Sequence, residues 1–430
     1  MDEKRIWIIN QHAQTPKLGN SIRHYAISKY LVRDGYEPIV FSSNQLHSAT
    51  GNAIEVGEDG YAEEYLDGVR FVYVKTHKYT KNDIHRILNI FSFYFSVLKT
   101  AKKIEKKYGK PDIVYSSTMS PTALVAGNRL AKKYKVKSIN ETRDIIPEGF
   151  AGKGIMKETG IVAKILRTFM KSTYKKADAL IFTMSGGQKY IEDMGWYKRQ
   201  GGFIADDRVY YVNNGVDCEL SECNAKTFVH PDEHLDDPDL FIVSYIGSVR
   251  FLNNIPLFVS AAEYLKKSGC DKIKILVWGA GTKTGEINQM IADKGLDNII
   301  LKGRVEKKYV PSIANRSDLF ILTANFSSVQ KYGASPNKLF DYFEAGRPVI
   351  VPTVLSDSLV AGNGAGSEID SPDGKRLAEE IIRYFEMDKT EYEGYCENSK
   401  RLAAQFDYAV HAKSMERIFD DVLSDRRKNG

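Results

Sequence analysis

The chain has 430 residues, 43% of them apolar and 27% charged, with a formal net charge of +6. That length points to two domains, each large enough to bury a core, and the composition excludes a disordered or fibrous chain. No run approaches the ~18 consecutive apolar residues that cross a bilayer, and the opening MDEKRIWIIN lacks the apolar core of a secretory signal, so a cytoplasmic location is expected.

The first half alternates apolar, strand-like runs with helical patterns. Strands are expected at Arg5–Asn10, Glu37–Ser42, Phe71–Lys75, Asp112–Ser116, Lys137–Asn140 and Leu180–Thr183. A helix follows the first of them, with Ile22, Tyr25, Ala26 and Tyr30 on one stripe and Gly35 closing it. The second half repeats the scheme, with strands at Asp239–Ile246, Lys272–Trp278, Asn298–Lys302, Asp318–Thr323 and Pro348–Val351 and a helix at Ile255–Lys267. Such alternation predicts an α/β protein of two Rossmann-like, doubly wound parallel-sheet domains. Two such domains leave an interdomain cleft at the carboxyl ends of their strands, where ligands bind. The turn Asn213-Asn214-Gly215-Val216-Asp217 and the acidic stretch His230–Asp239 bracket the boundary. The expected domains are 1–217 and 218–405, with a helix in 406–430 that packs back on the first domain.

Charge is unevenly spread. Residues 1–218 carry a net +11, residues 219–430 a net −5, and residues 99–176 alone a net +13. Such bias points to an anionic partner. Residues 84–110 join an aromatic stretch (Phe91, Phe93, Tyr94, Phe95) to a run of lysines, and residues 155–176 set Lys157, Lys164, Arg167, Lys171, Lys175 and Lys176 among apolar residues. Amphipathic basic segments suit an anionic membrane surface. The aromatics precede the lysines and do not interleave with them, so no nucleic-acid partner is expected.

The segment richest in chemistry is YGASPNKLFDYFEAGRPVIVP, residues 332–352. Ser335 is a natural N-cap and Pro336 suits the first helical position. The unpaired N–H groups of that first turn, near Asn337, form an anion site to which Lys338 adds a full charge. Asp341, three residues on, lies on much the same face, where a carboxylate accepts bonds from sugar hydroxyls. A diphosphate with an attached ribose satisfies this pattern; an ordinary capped helix with a surface Lys–Asp pair satisfies it equally.

SPNKLFDYFEAGRPVI resembles the donor-binding segment of retaining glycosyltransferase family 4, in the bacterial WbuB-like branch of surface-polysaccharide transferases. The resemblance implies the two-domain GT-B fold. It places Asp341 on the second Glu of the family's Glu-x7-Glu signature, the ribose ligand. The first Glu, which contacts the donor sugar, falls on Gly333, a departure. Tyr245–Asn254 is similar to the family's diphosphate loop: Gly247 and Ser248 match its turn, Arg250 its phosphate-binding Arg, and Asn254 stands where a Lys is usual. Gly279 and Gly281 match a second glycine turn. Gly303 and Val305 match a segment whose backbone reads the base. In the first half, Gly19, Asn20, Arg23 and His24 resemble the loop between donor and acceptor. Arg143-Asp144-Ile145-Ile146-Pro147-Glu148 resembles the branch's Arg-Asp-Leu-Trp-Pro-Glu segment, where a carboxylate orients or deprotonates an acceptor hydroxyl.

The expected activity is retaining, metal-independent transfer of a hexosyl or aminosugar unit from a nucleotide-sugar, UDP by resemblance, to a lipid-linked saccharide in capsule, exopolysaccharide or O-antigen synthesis. No cofactor is expected. Arg143, Asp144, Arg250 and Lys338 are the candidate catalytic residues. The expected location is cytoplasmic, peripheral to the inner face of the membrane. A sugar-nucleotide epimerase of the same fold and a non-catalytic, GT-B-derived binding subunit are the alternatives; Gly333 and Asn254 keep the second open.

Overall fold

The computed structural model describes the chain except residues 1–3, 20, 46–52, 80–83, 119, 153, 251–252, 324–330, 334, 356, 371 and 429–430. The chain forms two compact units, residues 1–213 with 408–430, and residues 214–407.

Unit 1 begins β1 (Lys4–Ile9), α1 (Arg23–Arg33), β2 (Tyr36–Ser43), β3 (Tyr61–Leu66), β4 (Val69–Val74), α2 (Ile84–Tyr108), β5 (Ile113–Ser117) and α3 (Pro121–Tyr134). It continues with β6 (Lys137–Thr142), α4 (Glu148–Gly152), α5 (Ile161–Tyr174), β7 (Ala179–Phe182), α6 (Gly187–Asp193) and β8 (Val209–Tyr211). The strands form one eight-stranded sheet in the order β3-β4-β2-β1-β5-β6-β7-β8. Every pair is parallel except β3–β4. The inner strands are continuous apolar runs because both faces are covered. Tyr25, Ala26, Tyr30 and Leu31 of α1 pack on one face, and Phe93, Val97, Ala101 and Ile104 of α2 on the other, with Ala123, Ala126 and Leu130 of α3. The sequence patterns omit β3 and β8. The first is a polar edge strand (YAEEYL) and the second only three residues long, so neither has a readable period.

Unit 2 runs α7 (Cys218–Thr227), β9 (Phe241–Ile246), α8 (Pro256–Lys267), β10 (Ile273–Trp278), α9 (Thr284–Asp293), β11 (Ile299–Gly303) and α10 (Val310–Asn315). It continues β12 (Leu319–Ile321), α11 (Asn337–Glu344), β13 (Val349–Val351), β14 (Gly366–Glu368), α12 (Gly374–Phe385) and α13 (Lys389–Gln405). Its six-stranded, all-parallel sheet has the order β11-β10-β9-β12-β13-β14. Helix α14 (Tyr408–Lys428) returns to unit 1, where Ala412, Met415, Phe419 and Val422 join the core beneath α1. Among the described residues, no helix is long and apolar enough to cross a membrane.

Two expectations for the basic segments need correction. Phe93 is wholly buried in the sheet-facing core and cannot meet a lipid, whereas Phe91 and Phe95 are 52% and 64% exposed. Two of the lysines are already neutralised, Lys103 by Asp59 at 2.5 Å and Lys107 by Glu63 at 2.9 Å.

Candidate active site

In unit 2, three consecutive loops at the carboxyl ends of β9, β10 and β11 are laced together by their backbones. Gly247 N–H donates to the Trp278 carbonyl (2.8 Å), Val249 N–H to that of Ala280 (3.2 Å), and Gly279 N–H to that of Gly303 (2.7 Å). A Cβ on Gly279 would stand 1.8 Å from the Gly247 oxygen, and one on Gly281 2.0 Å from the Val249 oxygen. Only glycine lets these turns approach so closely. Ser248 is fixed by Asn253, whose amide donates to its carbonyl (2.5 Å) and hydroxyl (3.0 Å). Asn254 takes a left-handed conformation (φ +43°), and its carbonyl accepts from Leu257 N–H at the start of α8. Arg250 is exposed, and its guanidinium has no partner among the described residues.

Helix α11 opens onto the same loops. Its cap is Pro336, not Ser335, and no side chain caps it, so Asn337 is the first helical residue. Ser335 is used otherwise: its hydroxyl accepts from Asn214 N–H (3.2 Å), and its carbonyl accepts from the Asn214 amide (2.8 Å). The Asn-Gly-Val-Asp turn thus holds the entrance to α11. Gly346, in the left-handed region (φ +66°), follows its end.

Lys338 sits in the first turn. Its Nζ donates to the Tyr245 hydroxyl at 2.9 Å and lies 4.3 Å from the centre of that ring. A Cβ on Gly247 would come within 2.9 Å of the same Nζ, so the ammonium is against the glycine turn. The Tyr245 hydroxyl in turn donates to the Ser248 carbonyl (3.1 Å). Among the described residues no carboxylate pairs with Lys338, and burial lowers its pKa from 10.5 to about 8. A cation desolvated in this way lacks a counter-charge that an anion would supply.

Asp341, one turn further, is in an ion pair with Lys307 (Nζ–Oδ2 2.5 Å). Lys307 was not singled out by the sequence patterns; nothing in its spacing from residue 341 marks it. Neighbouring Lys302 is committed to Asp232 (2.6 Å). Val305 packs at the margin of a small core around Trp278. Gly333 has φ +87°, a conformation strained for a side-chain-bearing residue. Its glycine therefore has a backbone reason, and a Glu at this position would need a different loop.

The unit 1 candidates divide. Glu141, wholly buried in β6, accepts from Arg23 Nε (3.0 Å) and Nη2 (2.7 Å), the Tyr115 hydroxyl (2.5 Å) and the Ser117 hydroxyl (2.6 Å). Arg23 also donates to the Val212 carbonyl (3.0 Å) and to that of Asn213. Burial would raise the Glu141 pKa, but Arg23, His24 and Arg143 together outweigh it and hold the carboxyl well below the usual range. His24 lies 3.4 Å from Glu141, and burial lowers its pKa. The expectation that Arg23 and His24 reach a substrate is therefore corrected: both are interior, and the guanidinium is consumed by internal partners. Glu148 is likewise interior, bonded by Arg167 (2.8 Å). Gly19 closes a tight loop, where a Cβ would meet the Gln14 side chain at 2.3 Å. Asn20 lies outside the described residues. Arg143 is half-buried, its N–H on the Thr118 hydroxyl (2.8 Å), and Asp144 is exposed.

Unit 2 thus brings glycine turns and a cation, with no paired carboxylate among the described residues, to the ends of its parallel strands. Residues 241–387 match the family described as glycosyl transferases group 1, so the chain carries a glycosyltransferase domain there. No curated protein matches the chain. Solved GT-B structures share its fold along almost the whole length. A glycosyltransferase from Rickettsia africae is 14% identical, with a TM-score of 0.67 over 98% of this chain and 99% of that one. HepE from Anabaena, in complex with UDP-glucose, is 15% identical, with a TM-score of 0.62 over 98% and 99%. The α,α-trehalose 6-phosphate synthase of Burkholderia multivorans is 12% identical, with a TM-score of 0.70 over 99% and 100%.

Proposed function

We propose that the chain is a retaining glycosyltransferase that moves a sugar from a nucleotide-sugar donor, a UDP-sugar, to a lipid-linked saccharide acceptor of surface-polysaccharide synthesis. The observation that carries the donor half is Lys338: a partly buried ammonium with no paired carboxylate among the described residues, beside a glycine turn and at a helix start. A diphosphate supplies the missing counter-charge. In glycosyl transfer, negative charge grows on the leaving diphosphate as the sugar becomes oxocarbenium-like. Cations and N–H dipoles already aimed at that position lower the barrier. Lys338 and Arg250 take this role, Asp341 accepts from the ribose hydroxyls, and the leaving phosphate assists attack of the acceptor hydroxyl on the same face. The likeness to HepE bound to UDP-glucose supports UDP as the nucleotide. A thermal-shift panel of UDP-, GDP- and dTDP-sugars tests it: UDP-sugars alone are expected to stabilise the protein. No shift with any of them removes the donor site.

The acceptor half rests on α2 and α5. Ile87, Phe91 and Phe95 on α2 are exposed, as are Ile161, Val162 and Ile165 on α5, the last three at 77%, 58% and 62%. Neighbouring Lys164 and Lys171 are exposed too. Apolar groups beside cations favour peripheral attachment to an anionic bilayer, each cation adding about 1 kcal/mol. Flotation with phosphatidylglycerol vesicles is expected, weakened by salt and by Phe91→Ser with Ile165→Ser. A protein that stays at the bottom of the gradient at low salt has no such surface.

A further inference from the structure

Between α2, α3 and α5, unit 1 holds a cavity of about 610 Å³, within the range that takes a small organic ligand. Its walls include Tyr94, Val125 and Val136, and its rim carries Arg129, Lys132 and Lys176. It is not one of the loops already described. Ser138 at the start of β6 and Asp178 just before β7 line it, so it lies at the amino edge of these strands, opposite Glu141–Asp144.

The polar groups inside are already satisfied. The Asn128 amide donates to the Thr173 carbonyl (2.9 Å), and its oxygen accepts from the Ser138 hydroxyl (2.5 Å). Asp178, the carboxylate on the wall, is paired with Lys137 (3.1 Å) and accepts from Ser138 N–H (2.9 Å). Arg129 donates to the Tyr94 hydroxyl (2.8 Å). The ammonium groups of Lys132 and Lys176 have no partner among the described residues, and both residues are exposed at the mouth. The ends of α3 and α5 add only about half a negative charge each. The site is therefore an apolar hollow with an uncompensated positive rim, flanked by the two helices that expose apolar side chains.

We infer that this cavity binds an anionic phospholipid of the bilayer. Lys132, Lys176 and Arg129 hold the headgroup phosphate, and the first carbons of the acyl chains lie against Val125 and Val136. The inference rests on the reading of α2 and α5 as a membrane-facing surface, and makes that surface selective for lipid charge rather than merely attracted to it.

The test uses the full chain and monomeric dihexanoyl-phosphatidylglycerol, titrated calorimetrically without any bilayer. Saturable binding is expected, at least about fivefold weaker for dihexanoyl-phosphatidylcholine and for inorganic phosphate. Lys132→Glu, a surface change that leaves the fold intact, is expected to weaken binding about fivefold or more. Val125→Trp, which fills the hollow, should abolish it. Equal affinity for the zwitterionic lipid, equal affinity for bare phosphate, or an unchanged Lys132→Glu variant each overturns the inference. Flotation separates it from the docking reading. Vesicle binding without monomer binding removes the pocket and keeps the surface. Monomer binding without flotation keeps the pocket and removes the surface.

Discussion

Each unit places a cation near the carboxyl ends of its parallel strands, and the two are treated in opposite ways. Arg23 in unit 1 is 2% exposed and meets Glu141 and two carbonyls. Lys338 in unit 2 meets a phenol hydroxyl and, among the described residues, no carboxylate. A buried charge that is fully paired has become part of the scaffold. One left short of its counter-charge makes the fold less stable than it could be and prepares it for an anion. The contrast separates a cation spent inside the scaffold from one that the proposed function assigns to the donor, where residue type and position do not.

The largest effect is expected in unit 1. Glu141→Gln leaves Arg23 buried beside a neutral group and should cost about 3–5 kcal/mol in denaturant unfolding. The depressed pKa of Glu141 means that its contribution is full above the ordinary Glu range and is lost only as pH falls through the lowered folded value. The stability difference between wild type and Glu141→Gln should therefore hold at neutral pH and narrow as pH falls below 4.5, the ordinary Glu value. A near-neutral Glu141→Gln would erase the distinction between the two cations.

Lys338 should behave in the reverse sense. Lys338→Ala, like Arg250→Ala, is expected to raise the barrier to transfer by about 2–4 kcal/mol, read from kcat/KM. Lys338→Met should nonetheless make the ligand-free protein more stable at neutral pH. The gap between about 8 and 10.5 corresponds to at most about 3–4 kcal/mol. The folded pKa is the lower one, so this gain is complete below pH 8, shrinks as pH rises and vanishes above about 10.5. Thermal melts of both proteins at pH 7 and pH 10 check the sign; a destabilised variant at pH 7 would falsify the idea of an uncompensated cation.

Nucleotide affinity sharpens the same point. A bound diphosphate raises the Lys338 pKa, so binding takes up a proton above pH 8, and UDP affinity should fall there by up to about tenfold per pH unit. The Lys338→Met variant should show a flat profile. Smaller still, Asp341→Asn should weaken UDP binding by about 1 kcal/mol through loss of charge-assisted bonds to hydroxyls. Lys307→Met, which only releases the Asp341 carboxylate from its ion pair, should change KM by less and leave kcat unaltered. Isothermal titration and steady-state kinetics distinguish the two.

The local features of the proposed donor side were legible: the tight turns at Gly247, Gly279 and Gly281 and the helix that carries Lys338 and Asp341 are local patterns, and local patterns survive in one dimension. Gly333 was legible as a departure, but its cause was not: the left-handed backbone appears only when the loop is built. Arg23 and His24 were misread because a helix stripe does not say which side chains are roofed over. Glu148 looked like a free carboxylate for the same reason.

The sequence by itself determined the alternation of strands and helices, and with it the parallel α/β character of both units, because hydrophobic periods of a few residues are set by backbone geometry. It also determined where the glycine turns fall. The tertiary structure alone decided which charges are spent. Glu141 meets Arg23 across 118 residues, and Asp341 meets Lys307 across 34. It decided too that Phe93 faces the sheet while Phe91 and Phe95 face outward, and that Lys103 and Lys107 are paired with carboxylates when, among the described residues, Lys132 and Lys176 are not. Pairing and burial depend on separations across the fold that no local spacing encodes.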